Sequence, residues 1–287
     1  MSDGTKISWT DASWPVMTGC THLSEGCNHC YAAKLTSGRL KHLPAYEGLA
    51  EHGMFNGQVR LLPDRLDWPL HWRKPRKIFV ADMGDLFHDG VPDRYIARVF
   101  GVMARAPQHT FQVLTKRHSR MRSLLNNAEW VWSMQCAALE HGFTVPGGIE
   151  LNPQHIPWPL PNVWLGVSAE NQRWADIRIP ALLDTPAAIR FVSAEPLLGP
   201  IRMRASLMAG AALEPRDGIN WVIAGGESGP GHREMDPGWL ESIVTQCRNA
   251  GTAVWVKQDS GPRAGQQGRI PDDLWIQEFP NEVAVPA

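Results

Sequence analysis

Five cysteines occur among the 287 residues, and three of them, Cys20, Cys27 and Cys30, crowd into one stretch, "TGCTHLSEGCNHCYA". Thiolates are ligands for soft or borderline metals, and the fourth ligand decides the chemistry. With His22 or His29 in that place the set is Cys3His, a closed structural zinc site. With no protein ligand there, three cysteines suit a four-iron cluster that keeps one iron open. Cys27-x-x-Cys30 is a ligand pair, but Cys20 stands alone. Cys136 and Cys247 lie far along the chain in helical patterns, where each reads as a small packing residue. A zinc knuckle is usually built from two pairs, so the spacing favours the cluster and keeps zinc as the alternative.

The chain is 43% hydrophobic, enough for a substantial core. An odd cysteine count, a polar start ("MSDGTKISWTD") and no long apolar run point to a reducing compartment, the cytoplasm, with no membrane partner. A net charge of -1 gives no general attraction to nucleic acid. Two local basic clusters, "HWRKPRK" (His71 to Lys77) and "LTKRHSRMR" (Leu114 to Arg122), are expected on the side of the site. Thirteen tryptophans against three tyrosines read as rings that pack loops onto the body.

Short continuous apolar runs, each ending in small or polar residues, mark strands buried on both faces. They are "KIFVADMGD" from Lys77, "TFQVLTKR" from Thr110, "NVWLGVSAEN" from Asn162, "IRFVSAEP" from Ile189, "NWVIAGGESG" from Asn220 and "AVWVKQDSG" from Ala253, with "SWPVM" from Ser13 as a short seventh candidate. Helical patterns lie between them, notably Asp93 to Ala106, Ala128 to Gly142, and Asp236 to Gly251 with its Asp cap, first-turn Pro and terminal Gly. This β-α alternation predicts one α/β domain over 1–287, a parallel barrel or a doubly wound sheet. Insertions at about 36–74 and 119–160 are expected over one end.

A polar group follows every strand: Asp82 and Asp85, Lys116 and Arg117, Ser168 and Glu170, Ser193 and Glu195, Glu227 and Ser228, then Lys257, Gln258 and Asp259. In a parallel barrel these ends share one face, where sites are built, and the cysteine loop opens onto it.

With His29 just before the last cysteine, this loop resembles that of the radical S-adenosylmethionine (SAM) enzymes, with a longer first interval than the usual C-x3-C-x-φ-C. "ISWTDASWPVMTGCTHLSEGCNHCYA", "DMGDLFH", "LTKR", "LGVSAEN", "SAEPLLGP", "AGGESG" and "WVKQ" together resemble a phage-associated three-cysteine-motif family of radical-SAM-like proteins, from Ile7 to about Gln258.

The resemblance implies a partial parallel (β/α)6 barrel of radical SAM type and a [4Fe-4S] cluster on Cys20, Cys27 and Cys30. An external electron donor reduces the cluster, and SAM is cleaved to a 5′-deoxyadenosyl radical. Gly84, Asp85 and Asp82 are the candidates for the SAM amino group, and Ser168 with Glu170, or Ser193 with Glu195, for the ribose hydroxyls. Gly225, Gly226 and Glu227 are placed near adenine or methionine, with His29 beside the cluster. Lys257 and Glu195 are the candidate catalytic groups, and Lys116, Arg117 and Lys257 are candidates for a substrate anion. The implied reaction is isomerisation of an amino-acid-modified thymine in phage DNA, a base hypermodification that evades host restriction. The alternatives are a zinc-stabilised nucleic-acid-binding module without catalysis and a radical SAM DNA lyase or repair enzyme.

Overall fold

The computed structural model describes residue 5 and residues 7–140, 152–203 and 218–281. Seven strands form one parallel sheet: β1 (Ala12–Trp14), β2 (Lys77–Val80), β3 (Thr110–Thr115), β4 (Val163–Ser168), β5 (Ile189–Ala194), β6 (Trp221–Gly225) and β7 (Ala253–Gln258). Every strand expected from the apolar runs is present, one more than the six of a (β/α)6 barrel. Strand order in the sheet follows chain order throughout. A doubly wound sheet reverses its order at a switch point. This one never does, so its winding is that of a barrel. β1 and β7 remain the two ends of the curled sheet, so the barrel is partial.

Alternation along the strands divides the core. One face turns Ile78, Val80, Phe111, Val113, Leu165, Val192, Val222 and Val254 toward the helices α2 (Asp93–Arg105), α5 (Gln172–Leu183) and α6 (Pro237–Ala250). α6 begins and ends as its sequence predicts. The Asp236 side chain accepts from Gly238 N–H, Pro237 opens the helix, and Gly251 closes it in the left-handed region at φ 68°.

The opposite, helix-free face carries Phe79, Trp164, Phe191, Trp221 and Trp255, with Trp9 packed among them. The Trp221 ring centre lies 5.7 Å from Trp164 and 5.6 Å from Phe191. Four of the thirteen tryptophans, Trp9, Trp164, Trp221 and Trp255, therefore fill the inside of the half-barrel, while Trp68, Trp72, Trp158 and Trp275, outside the sheet and the α-helices, pack connecting segments onto the core as expected. Further along the same strands that face turns small and polar, through Gly166, Ser168, Ser193 and Gly225, with Ser168 beside Ser193 in register.

Two short antiparallel ladders organise the first insertion, Met17–Thr18 with Arg60–Leu61 and Ala50–Glu51 with Met54–Phe55. It lies against the cysteine loop, where Gly57 N–H donates to the Cys20 carbonyl at 3.1 Å. The second insertion supplies α3 (His118–Leu125) and α4 (Ala128–Glu140), and α4 packs on α2 through Trp130, 5.4 Å from Phe100. His141 and Gly142 of the helix expected here, and residues 143–151 of the insertion, lie outside the described residues. Cys247 is fully buried as expected, whereas Cys136 is only half-buried on α4.

After β7 the chain returns to pair with its outer edge, Val256 N–H to the Ile276 carbonyl at 2.7 Å and Glu278 N–H to the Val254 carbonyl at 3.0 Å. Phe279 then stacks 4.8 Å from Trp255. Among the described residues no helix is long and apolar enough to cross a membrane.

Candidate functional site at the C-terminal mouth

The loop after β1 crosses the mouth formed by the C-terminal strand ends and leads into α1 (Tyr31–Ser37). It starts beside β2, where Gly19 N–H donates to the Met83 carbonyl at 3.1 Å. Gly84 allows that contact, since a Cβ there would stand 2.3 Å from Met17 Sδ and 2.7 Å from the Gly19 carbonyl oxygen. Thr21 Oγ1 accepts from His88 Nε2 at 2.7 Å, because His88 Nδ1 is itself the acceptor for Gly90 N–H. Burial holds His88 below its ordinary range, in keeping with a neutral ring.

Farther along, the loop is tied down by two buried carboxylates. Glu170, beyond β4, is fully buried and accepts from Ser24 Oγ at 2.6 Å, Lys116 Nζ at 2.5 Å and Arg178 Nη1 at 3.0 Å. Burial pushes its carboxyl up, but the two cations outweigh that and leave it below the usual range. Gly26 rests directly on it, for a Cβ at Gly26 would come within 2.5 Å of Glu170 Oε1. Glu227, beyond β6, accepts from His29 Nδ1 at 2.8 Å and from Arg233 Nη2 at 2.5 Å, and Arg233 reaches back to the Glu25 carbonyl at 2.9 Å. Burial opposes its ionisation, yet these donors pull it down to about 2. Both carboxylates, candidates for ligand contact, hold the loop in place.

Asp85 is also spent on its own surroundings. Oδ1 accepts from Phe87 N–H at 3.0 Å and Thr115 Oγ1 at 2.6 Å, and Oδ2 from Lys116 N–H and Arg117 Nη1, each at 3.1 Å. Asp82 differs. Its Oδ1 is buried with no partner among the described residues, and burial, only partly offset by the Ser13 side chain, pushes its carboxyl up to about 6. Glu195 takes Lys257 Nζ at 2.5 Å, so the candidate catalytic pair is an ion pair between β5 and β7. Ser193 and Ser168 give their carbonyls to Ala169 N–H and Arg178. Gly225 and Gly226 seat β6 against β7, since a Cβ at Gly226 would stand 2.2 Å from Ser260 N.

The three thiols share this mouth as free cysteines. Cys27 is near enough for its charge to act on Cys30, whose thiol is pushed up chiefly by burial, and backbone N–H groups of Ala33 and Ala32 reach the Cys30 sulfur. Cys20 Sγ faces Arg117 Nη1 at 3.5 Å, with its thiol pushed up to about 12 by burial and then by Asp85. One ring nitrogen of each neighbouring histidine is engaged, His29 Nδ1 by Glu227 at 2.8 Å and His22 Nε2 by Asn28 at 2.6 Å. Among the described residues no group of three His, Cys, Asp or Glu side chains is gathered as a metal site. The chemistry of the donors still fits a thiolate-bound cluster. Lys116, Arg117 and Arg178 set near the sulfurs the positive charge that thiolates need, and Cys20 and Cys27 each face a side chain, Arg117 at 3.5 Å and Ser24 Oγ at 3.9 Å.

Sequence reasoning missed Ser24, Arg178, Arg233 and Trp174. Trp174 and Arg178 stand four residues apart on α5, on one helix face. The guanidinium lies 4.0 Å from the ring centre, and Trp174 Nε1 donates to Glu25 at 2.7 Å. That spacing was the available signal. Arg233, in an irregular segment, offered none. The cluster His71 to Lys77 is a correction: Lys77 opens β2, so the cluster stands at the strands' N-terminal end, away from the cysteines. A cavity of about 220 Å³ opens there, among Arg76, Lys77, His109, Thr110, Asn162 and Trp164. The basic residues Lys116, Arg117, Arg120 and Arg122 are at the mouth side, but each is paired with a carboxylate.

Fold and site define a partial parallel α/β barrel with a cysteine loop strapped across its C-terminal mouth. The chain belongs to the DUF5131 family, described as a protein of unknown function, which matches residues 4–276. No curated protein and no solved structure matches the chain.

Proposed function

We propose that the protein is a radical SAM enzyme that holds a [4Fe-4S] cluster through Cys20, Cys27 and Cys30, and that it isomerises an amino-acid-modified thymine in phage DNA. The observation that carries this is three free thiols on a loop fixed by buried carboxylates across the site face of a partial parallel barrel. When bound, the cluster supplies an electron that cleaves SAM to the 5′-deoxyadenosyl radical.

The chain's own residues do the rest. Asp82 offers a buried, partnerless carboxylate oxygen to an ammonium group, the interaction that recovers the cost of burying it. The aromatic layer around Trp221 closes the barrel below the mouth and keeps water from entering by that route. Glu195 holds the Lys257 ammonium on the inner face, where its Nζ can meet an anionic substrate group or give up a proton. A thymine reaching this mouth must leave the base stack, as for other enzymes that act on a base.

Anaerobic purification with iron, sulfide and zinc analysis tests this. Iron that disappears in Cys20→Ala, Cys27→Ala and Cys30→Ala but stays in Cys136→Ala, with 5′-deoxyadenosine made from SAM on reduction, is the expected result. Colourless protein with one tightly held zinc would overturn it and favour a binding module.

A further inference from the structure

We infer that Arg117 is a positioning residue for Cys20, a guanidinium fixed in advance so that one N–H points at the Cys20 sulfur and tunes the group that sulfur holds. The assignment rests on the cluster proposed above.

Several cations surround the mouth, and their partners separate them. Lys116 and Arg178 are both drawn onto Glu170, and Arg233 onto Glu227. Arg117 alone among these donates to a thiol: Nη1 stands 3.1 Å from Asp85 Oδ2 and 3.5 Å from Cys20 Sγ. An Nη atom carries two N–H groups, so it can serve both partners at once.

Nothing in its fixation depends on the cysteine. Asp85 is held by Phe87 N–H, Lys116 N–H and Thr115 Oγ1, and Thr115 Oγ1 in turn accepts from Arg117 N–H at 2.8 Å. The side chains of Arg117 and Asp85 are 8% and 7% exposed, so water screens this pair little. A charged donor at a ligating sulfur stabilises the more negative, reduced state of an iron-sulfur group and so raises its potential. The same contact holds the Cys20 thiol against the β3 end. Arg117 thereby sets where the third ligand waits.

Wild type, Arg117→Lys and Arg117→Gln, each reconstituted anaerobically with iron and sulfide, provide the test. Iron per chain, the thermal midpoint and the midpoint potential from a spectroelectrochemical titration are read for each. The expected result is equal iron in all three, with the Arg117→Gln potential lower by about 60 mV, a tenfold change in a one-electron equilibrium. Arg117→Lys keeps the charge but not the fixed fork, and should fall less. If Arg117→Gln cannot hold iron, a lowered potential in Arg117→Lys sustains the inference and an unchanged one overturns it. Full iron with an unchanged potential in Arg117→Gln overturns it while leaving the proposed function intact. Wild type that takes up no iron removes both.

Discussion

Replacing Asp82 with asparagine removes a charge the fold carries at a loss. Its carboxyl is lifted from 3.8 to about 6 in the folded chain by burial, which the Ser13 side chain only partly offsets. A carboxyl raised on folding favours the folded state fully below its unfolded value, and that advantage is lost as pH rises through the folded value. From 3.8 to about 6 is roughly two pH units, and at about 1.36 kcal/mol for each the ionised side chain costs about 3 kcal/mol near neutrality. Asparagine keeps the shape and drops the charge. Urea unfolding of metal-free wild type and Asp82→Asn, run from about pH 4.5 to about pH 8, should show a gap that narrows to about 1 kcal/mol at the acid end, on the way to closing below the unfolded value. The two should separate to about 3 kcal/mol in favour of the variant at the alkaline end. A gap that does not change with pH would refute the reasoning, because it would mean that Asp82 does not titrate differently in the two states. Such a loss is tolerated where a cationic ligand later recovers it, so the variant should be more stable and bind SAM more weakly.

Glu170→Gln leaves Lys116 and Arg178 buried beside a neutral group and should cost about 3–5 kcal/mol in denaturant unfolding, with iron uptake falling as the Ser24 anchor loosens. Glu227 is held at about 2 against an ordinary 4.5, so its stabilisation is complete above the higher value and lost as pH falls toward the lower one. Glu227→Gln should therefore flatten the acid limb of the thermal midpoint between those values. Gly166→Ala would place a Cβ 2.4 Å from Phe191 Cε2, and the displaced ring should lower stability by about 1–3 kcal/mol, read from the denaturant midpoint.

Much of this architecture was legible because buried parallel strands write themselves as unbroken apolar runs. Lys77–Val80, Thr110–Thr115 and Ile189–Ala194 all fell where such runs lie, and the polar residues after them marked the mouth. Pairings across the mouth were not legible. Glu170 could be read as a mouth residue, but nothing local reveals that Arg178, on the next helix, and Ser24, far back in the chain, converge on it. The close packing at Gly84 and Gly226 was hidden for the same reason, since the atoms each must clear belong to another strand's loop. The basic run ending at Lys77 was a different error. A segment that leads into a parallel strand lies at that strand's start, so its position was implied by the strand itself.

The return segment along β7 has a consequence for colloidal behaviour. A partial barrel, unlike a closed one, leaves two borders where unpaired N–H and C=O groups invite another chain to add on. β1 limits the hazard by brevity, with three residues, while β7, with six, is the longer invitation. Residues 276–278 occupy it through main-chain bonds to Val254 and Val256, and Phe279 lies over Trp255 beside it. That short tail spares the open sheet from polymerising, a protection a closed barrel obtains from its geometry alone.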